Sequence, residues 1–231
     1  DDSRCGPAFI KRVEISSWSR GVLERVVSSR ARRSLKGAKM LQDAGFSRPS
    51  PLAALEIRTA GAVRASYLLS EPLDRAETLS RFALGPHSAM GRDYRRRKRI
   101  SDVLASEIRR LHDAGLYTRD MQETNLMIEE NGAGGYKIHF IDLEDFRRAR
   151  AVSWRKRMLN LVHLDRSIGR FLCRAARLDF LYAYLGRRPP RAEAREIVSE
   201  ILALRARIER RRHGRIKSNR RSPMTHGALD L

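Results

Sequence analysis

Between residues 126 and 142 two extended runs, LMIEE and YKIHFID, flank the pentapeptide NGAGG. Asn and Gly tolerate the positive φ that a tight reversal needs, and the β-branched and aromatic residues on either side suit a pleated surface. The segment is predicted to fold as an antiparallel hairpin, which constrains this chain more than any other stretch does. A hairpin brings its two open ends together. Asn125, just before the first strand, and Asp142, at the end of the second, are therefore expected side by side. Asp120 lies five residues before Asn125, in the irregular stretch LYTRDMQETN after a predicted helix. Three oxygen-bearing side chains thus gather at one end of a small hairpin. Asn125 and Asp142 suit a hard cation such as Mg²⁺, which takes oxygen ligands and binds through few carboxylates plus substrate phosphates. Asp120 suits acceptance of a proton from a hydroxyl.

Elsewhere, AFIKRVEI (8–15) reads as a strand and Gly21 to Ala44 as a helix closed by Ala44-Gly45. Two further extended runs, 52–57 and 63–69, flank Thr59-Ala60-Gly61 and predict a first hairpin. From Tyr94 to Ala114 the pattern is helical, with Ile100, Val103, Leu104, Ile108 and Leu111 on one face. Beyond Arg150 it stays helical. One helix is expected from Trp154 to Leu185 and another from Arg191 to Arg212, while residues 213–231 lack periodicity and are expected to be mobile. Strands, hairpins and helices in this order make the chain α+β.

Charge narrows the function classes. The chain of 231 residues carries 48 Lys+Arg against 27 Asp+Glu, a net +21. Residues 1–91 hold 15 basic and 9 acidic side chains, residues 92–145 hold 10 and 11, and residues 146–221 hold 23 and 6. A uniformly basic nucleic-acid binder would not need a near-neutral, carboxylate-rich segment before a strongly cationic one. With no aromatic interleaving for base stacking and no zinc spacing, nucleic acid is not the expected partner. An enzyme of phosphorylated or membrane-surface substrates fits the contrast better. Cys5 and Cys173 are the only cysteines, which excludes a disulfide framework and a cysteine-built zinc site. No apolar run is long enough to span a bilayer, and DDSRCGPAFIKR has no secretion signal, so a reducing cytoplasmic site is the simplest reading.

The stretch TRDMQETN (118–125) resembles the catalytic loop of protein kinases, H-R-D-L-x-x-x-N. The spacing from Asp120 to Asn125 matches, as does Arg119, while Thr118 stands in place of His. Asp142-Leu143-Glu144 occupies the place of D-F-G with only the Asp retained, and no A-P-E follows. Glu71-Pro72-Leu73, after the first hairpin, stands where a hinge would join two lobes. Lys11, in the run Phe9-Ile10-Lys11, stands where the phosphate-binding lysine would. With 41 Arg and only 7 Lys in the chain, a Lys at that place is informative. A compact ammonium suits a point contact to phosphate oxygens.

RARRSLKGAKMLQDAGFSRPSPLAALEIR, SYLLSEPL, LHDAGLYTRDMQETNLMI, IDLEDFRRAR and RKRMLNLVHLDRSIGRF look like the lipopolysaccharide core kinase family, over roughly residues 8–186. The resemblance implies a protein-kinase-like fold with a small β-rich N-lobe and a mainly helical C-lobe. Residues 1–73 would be a partial N-lobe, 74–190 the catalytic C-lobe, and 191–231 a basic helical extension and tail. It implies ATP and Mg²⁺, and transfer to a Kdo or heptose hydroxyl of the lipopolysaccharide inner core by a cytoplasmic protein bound peripherally to the inner membrane. Asp120, with Arg119, would act on the acceptor hydroxyl. Asn125 and Asp142 would hold Mg²⁺, Lys11 would contact the phosphates, and the Ser70–Leu73 backbone, with Glu71 and Pro72, would hold adenine.

Two departures stand out. Only ten residues precede Lys11, with no glycine-rich phosphate loop, so either the chain is truncated or that cover is absent. The 28–44 stretch has no Glu to pair with Lys11, and Glu24 is the nearest upstream. Three rivals stay open: a kinase of another small hydroxyl compound, of the aminoglycoside-phosphotransferase kind; a pseudokinase-like binding module; and, the poorest fit of the three, a basic nucleic-acid binder, which salt-sensitive DNA or RNA binding would reveal. Glu144, Asp145 and Glu123 read as local charge, with contact to metal the alternative for Glu144 and Glu123, and His112 and His139 read as packing or surface residues. The Arg runs read either as solvated helix faces or as attraction to anionic lipid and phosphorylated sugar.

Overall fold

The structure, a computed structural model, describes residues 7–14, 28–84, 94–132 and 134–221. The chain divides into two compact units, one ending at Arg188 and the other beginning at Pro189. The first unit opens with β1 (Phe9–Glu14), α1 (Arg30–Asp43), β2 (Pro51–Thr59) and β3 (Ala62–Ser70), and its strands pair antiparallel in the order β1-β3-β2. The β2–β3 reversal uses two residues of positive φ, Ala60 at 50° and Gly61 at 78°, a turn whose twist matches that of its strands. Lys11 pairs with Leu68, and Ala54 pairs with Leu68 from the other side. Side chains alternate along a strand, so Lys11 and Glu56 lie on the same sheet face. Glu56 accepts the hydroxyl of Ser29, the N-cap of α1, which sets that helix on the Lys11 side of the sheet.

Helix α1 starts later than the predicted Gly21. Ser28 has φ 78° and Ser29 is extended, with its hydroxyl accepting the Arg32 N–H at 3.3 Å. This caps the helix at Arg30. Residues 21–27 of the predicted helix, including Glu24, lie outside the described residues. The expected Ala44-Gly45 stop is present. Gly45 (φ 72°) donates to the Gln42 carbonyl and Phe46 to that of Leu41, both at 2.9 Å.

After β3 come β4 (Ala76–Thr78), α2 (Leu79–Leu84) and α3 (Tyr94–Asp113). Helix α3 buries Ile100, Leu104, Ile108 and Leu111, the predicted stripe except for Val103. A three-residue strand, β5 (Leu116–Thr118), follows where no regular element is predicted. It pairs antiparallel with β8 (Phe146–Arg148), a partner 28 residues on that local periodicity cannot reveal. The predicted second hairpin is β6 (Leu126–Asn131) with β7 (Gly135–Phe140), and β4 joins it to make a sheet of order β4-β6-β7.

The single helix predicted over Trp154–Leu185 is two, α4 (Trp154–Ser167) and α5 (Arg174–Leu185), with a 3₁₀ turn at Gly169–Phe171 between them. The Ser167 hydroxyl donates back to the Leu164 carbonyl at 2.9 Å, and Gly169 follows. Both weaken helix continuation where the apolar pattern runs on without a break. Conversely, α6 (Arg191–Arg221), in the second unit, runs nine residues past the predicted end at Arg212. The added residues, HGRIKSNRR, carry no apolar stripe, so periodicity misses them. Residues 222–231 of the predicted mobile tail lie outside the described residues. Among the described residues no helix is long and apolar enough to cross a membrane.

Candidate active site

The β6–β7 register pairs Leu126 with Phe140, and one step further out the Ile141 N–H donates to the Asn125 carbonyl at 3.0 Å. Asn125 therefore stands beside the residue that precedes Asp142. Its side-chain Nδ2 donates to the Asp120 backbone carbonyl at 3.0 Å and to the Asp120 carboxylate at 3.1 Å. That commitment turns Asn125 Oδ1 away from Asp120. Gln122 Nε2 donates to the other carboxylate oxygen of Asp120. Arg119 is exposed; its backbone N–H donates to the Asp145 carbonyl at 3.3 Å, and His163 hydrogen-bonds its backbone. Burial, together with the Arg166 charge, holds the His163 imidazole below its ordinary range.

Asp142 has φ 56° and ψ 62°, a left-handed conformation that Asp and Asn tolerate better than other residues with a β-carbon. The kink turns the chain from β7 into the 3₁₀ turn Leu143–Asp145. Helix α1 lies against that turn, and a β-carbon at Gly37 would collide with the Leu143 carbonyl oxygen. Only glycine permits this approach. Across the sheet, Lys11 Nζ forms an ion pair with Asp142 Oδ1, a contact between residues 131 apart in sequence. Lys11 is thus joined to Asp142, and Asn125 both to Asp120 and to the residue before Asp142, while Glu71, Pro72 and Leu73 lie at the end of β3. There Glu71 N–H is bonded to the Ser50 carbonyl at 2.9 Å and the Leu73 carbonyl to Ala76 N–H at 3.0 Å.

The residues that hold this loop in place were not legible in the sequence. Asn160, on α4, donates from Nδ2 to the Thr118 carbonyl at 2.6 Å and accepts the Thr118 N–H at 3.4 Å. Its Oδ1 also meets His112 Nε2 at 3.0 Å, and His112 Nδ1 meets the Tyr184 hydroxyl at 2.8 Å. Because the Asn160 oxygen only accepts, His112 carries its proton on Nε2 and Tyr184 donates to Nδ1. His112 and Asn160 are buried, and the network joins three helices to the residue that leads into Arg119-Asp120. An Asn six positions into a helix gives no local signal of this role.

Burial pushes the His112 imidazole down from 6.5 to about 4, against the raising effect of its bond to Asn160. The native state keeps this group neutral while the unfolded chain protonates it near 6.5. Stability is therefore full above that value and falls as pH drops toward 4, by about 1.4 kcal/mol per pH unit. Urea unfolding at pH 7.5 and 5 should show this loss, roughly 2 kcal/mol from this group, reduced in His112→Gln. Equal pH slopes in the two proteins would exclude His112 as the source.

Glu144, read from sequence as local charge, is buried at 8% exposure. Its Oε1 lies 3.7 Å from Arg30 Nη1, and its Oε2 is buried with no hydrogen-bond partner among the described residues. Burial raises its carboxyl above the ordinary range, opposed by Lys11 and Arg30. Among the described residues no group of three or more His, Cys, Asp or Glu could hold a metal ion. A hard cation bound through few protein oxygens does not need such a group. Asn125 Oδ1 and the Asp142 carboxylate, at one end of a rigid hairpin, fit Mg²⁺ by donor chemistry.

Residues 11–184 match the family described as lipopolysaccharide kinase (Kdo/WaaP). Among solved structures, "WaaP in complex with acyl carrier protein" is similar with a TM-score of 0.61 and 23% identity, over 78% of this chain and 76% of that chain. The Drosophila melanogaster PAN3 pseudokinase aligns with a TM-score of 0.47 and 12% identity, over 94% of this chain and 64% of that chain. No curated protein matches by sequence. The fold is protein-kinase-like.

Proposed function

The chain belongs to the lipopolysaccharide kinase (Kdo/WaaP) family, and on that premise we propose that it transfers the γ-phosphoryl group of ATP to a Kdo or heptose hydroxyl of the lipopolysaccharide inner core. Family membership supports phosphotransferase activity in general. The observation that carries the finer reading is the convergence of Lys11 on Asp142, next to Asn125 and Asp120. Asp120, oriented by Asn125 and Gln122, accepts a hydrogen bond from the acceptor hydroxyl and takes its proton as the bond to phosphorus forms. Lys11 turns from Asp142 to the nucleotide phosphates. Asn125 and Asp142 hold Mg²⁺, which when bound neutralises charge on the phosphates. Adenine takes backbone groups of the Ser70–Leu73 segment other than the Glu71 N–H and Leu73 carbonyl, which are already bonded. Little covalent chemistry falls to the protein, so positioning and charge carry the rate.

The cationic 146–221 segment supports a peripheral station on an anionic bilayer, at the cytoplasmic face of the inner membrane. Residues there hold 23 basic and 6 acidic side chains, and each basic group near such a surface contributes about 1 kcal/mol.

Two measurements test this reading on the full-length protein. With labelled ATP and Mg²⁺, label should enter a Kdo- or heptose-bearing lipid acceptor and not an aminoglycoside. Label on the aminoglycoside alone favours the other small-molecule kinase, and Mg-ATP binding without any transfer favours the binding module. Co-sedimentation with anionic vesicles should fall steeply between about 0.05 and 0.5 M salt, as the Debye length shrinks from roughly 14 to 4 Å. Equal binding to neutral vesicles would reduce the cationic surface to a solvated one.

A further inference from the structure

Among the described residues the Lys11 ammonium is ion-paired with one carboxylate, Asp142. Its present partner, Asp142, is committed under the reading above to the cation, so the ion pair seen here must open as the site fills. Helix α1, on the Lys11 side of the sheet, offers no replacement. Its sequence RARRSLKGAKMLQD has one acid, Asp43, at its last position and paired with Lys39 at 3.4 Å.

The turn after Asp142 does offer one. Glu144 is fixed there on both sides. Its backbone carbonyl accepts from Arg147 Nη1 at 2.9 Å, and the turn is pressed against Gly37 of α1. One carboxylate oxygen faces Arg30, and the other is buried without a hydrogen-bond partner among the described residues. Lys11 is ion-paired with Asp142, two residues before Glu144 on the same turn. A buried carboxylate with an unused oxygen beside a cation about to lose its partner is an acceptor in waiting.

We infer that Glu144 is the positioning residue for Lys11: it receives the lysine ammonium when Asp142 turns to the cation, and Arg30 holds Glu144 in place. The acid that fixes the phosphate-binding lysine then comes from the metal-binding turn itself and not from the neighbouring helix. Two cations, Lys11 and Arg30, and two carboxylates, Asp142 and Glu144, balance one another before nucleotide arrives. Mg-ATP adds its own charges, and Glu144 keeps the Lys11 ammonium aimed at the phosphates.

This inference rests on the ATP-dependent reading, and a double-mutant cycle on Mg-ATP binding, followed by calorimetry, tests it. Glu144→Gln keeps the shape and removes the charge. It should weaken Mg-ATP binding by about tenfold in the wild-type background and by less than about twofold in Lys11→Met, because the two residues act as one unit. Glu144→Asp should recover part of the affinity. An unchanged affinity in Glu144→Gln overturns the inference. So does an equal loss in both backgrounds, which would mark Glu144 as a cation ligand or a purely structural group. Should Glu144→Gln fail to fold, Glu144→Asp in the same two backgrounds reads the same coupling. A wild-type protein that binds no Mg-ATP overturns the inference together with the proposed function. A wild-type protein that binds and transfers phosphate, beside an indifferent Glu144→Gln, overturns the inference alone.

Discussion

Asp120→Ala is expected to lower turnover by about 10³-fold while leaving Mg-ATP affinity within about twofold. The two oxygens of the carboxylate are held by Asn125 and Gln122. The loop's backbone is also held by contacts that do not use that carboxylate. Asn160 holds Thr118 by both of its backbone groups, Asp145 holds the Arg119 N–H, and Asn125 still bonds the residue 120 carbonyl. Under the proposed role, removing the side chain deletes the interaction with the reacting hydroxyl and leaves the nucleotide's contacts in place. Steady-state kinetics beside calorimetry separates the two effects. A variant that turns over normally, or that loses nucleotide affinity in step with rate, would contradict the assignment.

Asp142→Asn should weaken Mg-ATP binding by at least about tenfold, and the loss should shrink when Mg²⁺ is chelated. The substitution keeps size and shape, and Asn is at ease at the left-handed φ of 56° found here. The fold should hold. The ion pair it removes, with side chains 35% and 29% exposed, is worth at most about 1 kcal/mol, a shift of roughly 2–4 °C in melting temperature. Calorimetry with and without Mg²⁺, checked by a melting curve, reads both quantities. Unchanged affinity in the folded variant would remove Asp142 from the metal site.

Much of the candidate site was legible because it is built on a short-range element. Asn and Gly residues specify the 131–135 reversal, the strands alternate as pleated surface requires, and the register then brings residue 125 against residue 141. Asp120 was legible from its five-residue spacing to Asn125 within a stretch that resembles the kinase catalytic loop. The first hairpin was legible for the same reason, its turn marked by Gly61. What the sequence left open has a different physical origin. The pairing of β5 with β8 is worth forming only once α1, α3 and α4 surround it, since three-residue strands carry too few ladder bonds to stand alone.

Hairpin reversals, the α3 stripe, the α1 stop and the Asp120–Asn125 spacing were determined by the sequence itself, because each depends on residues within about one or two turns of one another. The rest was decided by tertiary structure. Lys11 meets a carboxylate 131 residues away, and Asn160 and His112 find the Thr118 backbone from separate helices. Glu144, local charge by its sequence, is buried where α1 closes onto its turn at Gly37. The break after Ser167 and the run of α6 to Arg221 likewise escape the apolar pattern. Periodicity reports which face of an element is apolar, but burial of a charged or amide group depends on which partners the whole chain brings to it. That is a property of long-range packing, where desolvation must be offset by hydrogen bonds and opposite charge.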